Sequence, residues 1–269
     1  MTKKTTTDKA KKPATSKKVL DNSERYDNND YNYLHYWQGR EYEDASERMA
    51  FKRILAGKRF KHAVDVGGGY GRLCIFLKDY ADKVTLAEPS REQHKIAEDF
   101  LKDHPEIERK RVTAADLGFK DGSVDLITIV RILHHIPEPA PEFKEIARVL
   151  SDDGIFIMEF ANYTHFRNRV KHVLKGKSFP AEPVDIRSPE NQNEDNPPFV
   201  NHNPKTVVKQ LAHAGLKVDK VLSVSNLRSP GLKKVLPKGV MLTLEKFMQV
   251  PLAKTYFGPS TFFVIKKAK

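Results

Sequence analysis

Apolar residues along this chain recur with two spacings in turn, first that of a helix and then that of a strand. Phe51, Ile54 and Leu55 stand at i, i+3 and i+4, which predicts a helix that Gly57 brings to a stop. Residues 63–66 form a short apolar run, read as a strand, and Leu73, Phe76, Leu77 and Tyr80 mark one face of the helix after it. Residues 84–87 are the next strand. Ser90 with Gln93 reads as a capping box, opening a helix with Ile96, Ala97, Phe100 and Leu101 inward. Residues 112–115 make a third strand and 124–130 a fourth, the latter an almost unbroken apolar run of the kind buried on both faces. Phe143, Ile146, Ala147 and Leu150 form another helix face, and 155–160 a fifth strand. Alternation of this kind implies an α/β fold, a parallel sheet with helices on both sides, which binds ligands at the carboxyl ends of its strands.

Composition narrows the class. A chain of 269 residues fits one large domain or two small ones, and 39% hydrophobic residues suffice for a core. No apolar run approaches the roughly 20 residues that span a bilayer, and the Lys- and Thr-rich beginning lacks the apolar region of a secretory signal. The single cysteine, Cys74, excludes an internal disulfide and a multi-cysteine metal site, so no metal is expected. These features describe a soluble, cytoplasmic protein. The net charge of +12 invites a nucleic-acid reading, yet half of it sits in residues 1–18, with seven lysines against one aspartate. That tail is expected to be disordered, either a solubilising extension or a loose tether to nucleic acid or an anionic surface.

Chemistry first shows in residues 63–73, "AVDVGGGYGRL", at the turn between the first strand and its helix. Glycines there let the backbone approach a ligand that side chains would block. A dinucleotide site would need G-x-G-x-x-G, but the third position of that pattern falls on Arg72. The chain instead carries Gly67, Gly69 and Gly71, preceded by Asp65. Glu88 ends the second strand, where a carboxylate can accept hydrogen bonds from ribose hydroxyls. Asp116 and Leu117 end the third as a polar–apolar pair suited to an adenine edge and face, and the fourth ends in "VRILHHIPEP".

With "VDVGGGYG", "AEPS", "AADLGF", "VDLITIVRILHHI" and "EIARVLSDDGIFIMEF" in this order, residues 61–163 resemble the class I S-adenosylmethionine-dependent methyltransferases, and in particular their type 11 small-molecule group. The resemblance implies a Rossmann-like, seven-stranded, mostly parallel sheet with helices on both faces and an antiparallel last strand. It implies S-adenosylmethionine as the methyl donor. Gly67, Gly69 and Gly71 would pack against its methionine part, and Asp65 would hold its ammonium group directly or through water. Glu88 would bind the ribose, Asp116 and Leu117 the adenine, and Val130 completes the donor-binding set. Around this core, residues 1–22 are the basic tail, 23–60 an aromatic-rich helical lid and 164–204 a variable loop on the substrate side. Residues 205–269 complete the same domain, with a helix from Asn203 and Pro204 through Leu211, strands at 218–224 and 261–265, and an apolar helical insertion between them.

Methyl transfer from a sulfonium mainly needs alignment, with a base only where the acceptor must lose a proton. His134 and His135, after the fourth strand, are the candidate catalytic pair, with loop packing as the competing and favoured role. Glu159 is a weaker base candidate that could equally pair with an arginine. Tyr33, Tyr36 and Trp37 beside Arg40 offer an aromatic grip for an acceptor or an anchor for the lid. The expected activity is methyl transfer to a small molecule. The competing readings are a tRNA or rRNA methyltransferase aided by the tail, and a non-catalytic protein that binds the donor.

Overall fold

The computed structural model describes residues 37–192 and 197–268. The expected tail, and Tyr33 and Tyr36 of the expected lid, lie outside the described residues. Helix α1 (Glu41–Leu55) leads into β1 (Phe60–Val66), α2 (Arg72–Leu77), β2 (Ala81–Ala87), α3 (Arg91–Phe100), β3 (Ile107–Lys110) and β4 (Val124–Val130). Then come α4 (Ala140–Val149), β5 (Leu150–Ala161), α5 (Phe166–Leu174) and a two-stranded flap of β6 (Val184–Asp185) and β7 (Val200–Asn201). The chain closes with α6 (Pro204–His213), β8 (Leu216–Val224), α7 (Pro230–Val235), α8 (Lys238–Met248) and β9 (Ser260–Lys267).

Seven strands form one sheet in the order β3-β2-β1-β4-β5-β9-β8. Pairing is parallel from β3 to β5, and β9 runs antiparallel to both β5 and β8. The antiparallel last strand therefore lies inside the sheet, wedged between two strands of the other direction. Side-chain alternation along the strands builds two cores. Ile155 and Ile157 of β5 and Phe262 and Val264 of β9 face α1 and α2, with Phe51, Leu55, Phe76 and Leu77. Phe156, Met158 and Phe160, with Phe263 and Ile265, face α4 and α6, with Phe143, Ile146 and Leu211. The lid helix α1 is thus part of the first core: Phe51 is fully buried, edge-on to Phe76 at 5.9 Å and to Phe262 at 5.6 Å.

Four expectations change. The third strand is Ile107–Lys110, not 112–115. An edge strand needs backbone pairing, which Val84↔Ile107 through Ala87↔Lys110 provides, and only Ile107 of its side chains is buried. Its "IERK" carries no apolar alternation to read. Residues 113–116 instead close a bend through a Thr113–Asp116 bridge. Phe100 is 37% exposed rather than inward. Leu150 is buried, but as the first residue of β5 rather than the last of a helix. Finally, the capping box is only half made. Ser90 Oγ accepts from the Gln93 N–H at 3.2 Å, but the Ser90 N–H donates to Glu88 Oε1 at 2.9 Å. No helix among the described residues is long and apolar enough to cross a membrane.

Candidate active site

The carboxyl ends of β1, β2, β4 and β5 meet at the glycine turn. Gly67, Gly69 and Gly71 all take positive φ (+63°, +58° and +91°), a region that side chains disfavour. Space at the turn is unequal. A methyl group on Gly67 would meet the Ile132 side chain at 2.7 Å, and one on Gly71 would meet Leu101 at 2.7 Å. On Gly68 it would run into the Asp65 carboxylate. At Gly69 the nearest atom is Gln93 Oε1, 3.5 Å away. Gly69 is therefore where the turn faces outward.

Asp65 lies beneath the turn, only 1% exposed. It accepts a hydrogen bond from Thr128 Oγ1 at 2.6 Å, across the β1–β4 pairing, and a weak one from Cys74 Sγ at 3.8 Å. Burial raises its carboxyl to about 6. Glu88 stands beside the turn and is 6% exposed. Its Oε2 accepts the Gly69 N–H at 2.9 Å while Oε1 takes the Ser90 N–H. Glu88 so stitches the turn to the start of α3. It also displaces Gln93 from the reciprocal half of the capping box. Gln93 is 6% exposed, and its Oε1 is a buried acceptor with no hydrogen-bond partner. Sequence reasoning used Gln93 only as a helix cap. The one available signal was that Glu88 and Gln93 could both reach for the same Ser90 N–H.

Asp116 is exposed on the bend after β3, its N–H donating to the Thr113 carbonyl at 3.2 Å. Leu117 is fully buried among Val66, Ala87 and Ile129, and its N–H donates to Glu145 Oε1 at 2.8 Å. Val130 ends β4 and pairs with Glu159 of β5.

Arg131, the next residue, takes φ +60°. Its N–H donates to Glu159 Oε2 at 3.0 Å, and Ser260 Oγ donates to Glu159 Oε1 at 2.6 Å. Burial raises the Glu159 carboxyl, against the pull of Arg131. The Arg131 guanidinium donates to Glu47 of α1 through Nε at 2.6 Å. Arg72 reaches the same fully buried carboxylate at 3.0 Å and also pairs with Asp44. Trp37 lies against both cations, 3.8 Å from the Arg72 guanidinium carbon and 4.9 Å from that of Arg131. The aromatic–cation contact was expected at Arg40. Among the described residues, Trp37 meets the arginines at the start of α2 and just past β4.

His134 and His135 sit in a short 3-10 turn, with ring centroids 4.0 Å apart. Phe199, from the variable loop, packs on His134 at 4.3 Å. His135 Nδ1 donates to the Pro198 carbonyl at 3.0 Å, and His202 Nε2 donates to the Leu133 carbonyl at 2.8 Å. Burial lowers the pKa of His135 to about 4. It holds His134 well below the ordinary histidine range, with further contributions from His135 and Arg131.

A mostly parallel sheet of this order, with its glycine turn after β1 and a carboxylate after β2, defines the class: an open α/β domain whose ligand crevice lies at the carboxyl ends of its strands. Comparison with known proteins shows what this region is similar to. The methyltransferase-domain family Methyltransf_11 matches residues 64–158. An uncharacterized methyltransferase of Bacillus subtilis, YcgJ, is 29% identical over 103 residues, 37% of this chain and 41% of that protein. The ubiquinone/menaquinone biosynthesis C-methyltransferase UbiE of Rubrivivax gelatinosus is 29% identical over 115 residues, 42% of this chain and 45% of that protein. The chain thus spans less than half the length of either relative. A Thermotoga maritima structure described as an S-adenosylmethionine-dependent methyltransferase shares the fold, with TM-score 0.59 and 18% identity over 88% of this chain and 94% of that one. Residues 64–158 thus match a methyltransferase domain, the fold is shared with a solved S-adenosylmethionine-dependent methyltransferase, and S-adenosylmethionine is the cofactor that such a domain implies. Residues at the turn fit that group. The unpartnered Gln93 Oε1 and the Glu88 carboxylate form an acceptor edge beside Gly69, complementary to ribose hydroxyls, which donate.

Proposed function

We propose that the protein transfers a methyl group from S-adenosylmethionine to a small-molecule acceptor by in-line displacement. One observation carries the reading: a buried acceptor without a partner, Gln93 Oε1, stands beside the outward-facing Gly69 that Glu88 holds in place. The bound sulfonium supplies a methyl group that is already activated. The chain's own work is then to orient both molecules and keep water out. Glu88 and Gln93 accept from the ribose, and the backbone from Gly67 to Gly71 carries the methionine part. Asp116 approaches the adenine edge, while Val130 and the buried Leu117 stiffen the strand ends beneath it. Asp65 is a positioning residue: it fixes the turn from below through Thr128, with its carboxylate turned away from solvent.

His134 and His135 act on the acceptor side by holding Pro198 and Phe199 over the strand ends. A group whose pKa lies near 4 is a weak base at neutral pH, so the pair positions rather than deprotonates. The segment of 197–202 laid across the pair favours a compact acceptor over a macromolecule. The test follows methyl transfer from labelled donor into pooled metabolites, quinones and RNA, together with donor calorimetry. Label entering RNA alone would overturn the small-molecule reading. Absence of donor binding would overturn methyl transfer itself.

A further inference from the structure

Helix α5 is reversed relative to an ordinary surface helix. Asn168, Arg169 and His172 face the protein. Asn168 Nδ2 donates to the Tyr163 carbonyl at 2.8 Å, Arg169 Nε donates to the Thr164 carbonyl at 2.6 Å, and Arg169 Nη2 also reaches the Thr255 carbonyl. The His172 ring stacks on Phe179 at 4.3 Å. Its apolar side chains face the other way. Phe166, Val170, Val173 and Leu174 stand at i, i+4, i+7 and i+8, one stripe of the helix, and are 50%, 43%, 78% and 81% exposed. No residue of α5 is buried.

Along the chain, the charge flanking that stripe has one sign. Arg167, Lys171, Lys175 and Lys177 accompany it, and residues 160–181 contain no aspartate or glutamate. Phe166 stacks on Phe257 at 4.9 Å and 19°, next to the segment that follows α8. On α8, Val240, Leu244 and Phe247 repeat an exposed apolar stripe with Lys246 at its flank. Residues 227–258 hold six basic side chains and one acid, Glu245, which is fully buried.

We propose that α5 is a docking surface for an anionic phospholipid bilayer. The helix lies in the membrane plane, with Phe166, Val170, Val173 and Leu174 at the acyl boundary and Arg167, Lys171 and Lys175 among the headgroups. An apolar stripe with basic flanks is the pattern of an interfacial helix, where apolar burial and attraction to anionic lipid add together. A nucleic acid or a second copy of this chain satisfies only half of it. A nucleic acid would take the charges and leave the stripe in water. A second copy would cover the stripe but bring two basic rims together.

The test is sedimentation of the full chain with vesicles of phosphatidylcholine, alone or mixed with phosphatidylserine, at low and physiological salt. Val173→Ser/Leu174→Ser removes the stripe and keeps the charge. Lys171→Glu/Lys175→Glu reverses the charge and keeps the stripe. Both pairs change exposed side chains, and melting and donor calorimetry check that the domain is intact. The basic residues 1–18 remain in every sample, so differences between variants report α5. The wild type is expected on the phosphatidylserine vesicles, and each pair is expected to lower its partition about tenfold or more. Variants that partition like the wild type would overturn the proposal. So would RNA binding lost with the lysine pair while vesicle binding persists, or a dimer dispersed by the serine pair without any vesicle binding. Donor binding is read separately, so failure of membrane docking leaves the methyl-transfer reading untouched, and the reverse.

Discussion

Three glycines of the turn are held in place by the protein, and one faces the ligand side. Gly67→Ala must push Ile132 aside and keep φ at +63°, so it is expected to cost stability, about 1–2 kcal/mol from backbone strain alone. Gln93 gives the sharper test, because stability and binding should move in opposite directions. Gln93→Met removes an unpartnered buried acceptor and should leave the unliganded protein as stable or stabler, by up to about 1–3 kcal/mol. Affinity for S-adenosylmethionine should fall about tenfold in calorimetry, the scale of one hydrogen bond. A variant that binds the donor as well as the wild type removes Gln93 from the site. Asp65 supplies a pH signature. Its folded pKa, about 6, lies above the unfolded value of 3.8, so burial costs stability only where the group is charged. The Asp65 contribution should therefore rise as pH falls from 7 through 6 towards 4, by roughly 3 kcal/mol at most. Asp65→Asn should abolish that gain, read as the difference between the two denaturation profiles.

The elements are joined by two clamps. In the first, Glu47 of α1 sits between Arg72, the first residue of α2, and Arg131, just past β4. Removing one partner strands buried charge, so Glu47→Ala should destabilise by about 3–5 kcal/mol in chemical denaturation. Glu47→Gln should cost less, because it keeps an acceptor for one arginine. In the second clamp, the histidine turn grips the segment 197–202. The folded pKa values of His134, His135 and His202 all lie below the ordinary 6.5. Their contribution is therefore full above pH 6.5 and is lost as pH falls towards the folded values, near 4 for His135. Hydrogen exchange at residues 198–202 should quicken across that interval while the strands stay protected. A proton-accepting role would look different, with His135→Ala losing about 10²–10⁴-fold in turnover at unchanged donor affinity.

Across the whole molecule, charge is divided among regions that act separately. Residues 1–18 hold half of the net +12, and among the described residues the proposed donor edge at Gly69 is formed by Glu88 and Gln93. Deleting residues 1–18 should leave S-adenosylmethionine affinity unchanged in calorimetry, at low and high salt alike. Loss of donor binding on that deletion would place the tail in the site. Weaker RNA retention with a flatter salt dependence would assign it to nucleic acid. The sheet imposes its own coupling. Because β9 lies between β5 and β8, residues 205–268 complete both cores rather than forming a separable unit.

Much of this was legible in the chain itself. Burial on one face repeats with the period of the element, so the β4 run and the faces of α1, α4 and α6 could be read from spacing alone. The glycine turn was legible too, because positive φ restricts residue choice locally. Tertiary structure decided whatever depends on a partner distant in sequence. β3 exists because β2 offers it a ladder, and its own side chains carry no sign of this. Trp37 meets Arg72 and Arg131, residues 35 and 94 positions away, because the fold brings α2 and the end of β4 to the start of α1. Gln93 lost its cap role because Glu88 reached the Ser90 N–H first, which left its oxygen facing Gly69. Helix α5 shows the same limit from the other side. It lies in residues 164–204, read from the sequence as a loop although Phe166, Val170, Val173 and Leu174 recur at helical spacing, and which face turns inward depends on hydrogen bonds to Tyr163, Thr164 and Thr255, contacts that no local pattern encodes.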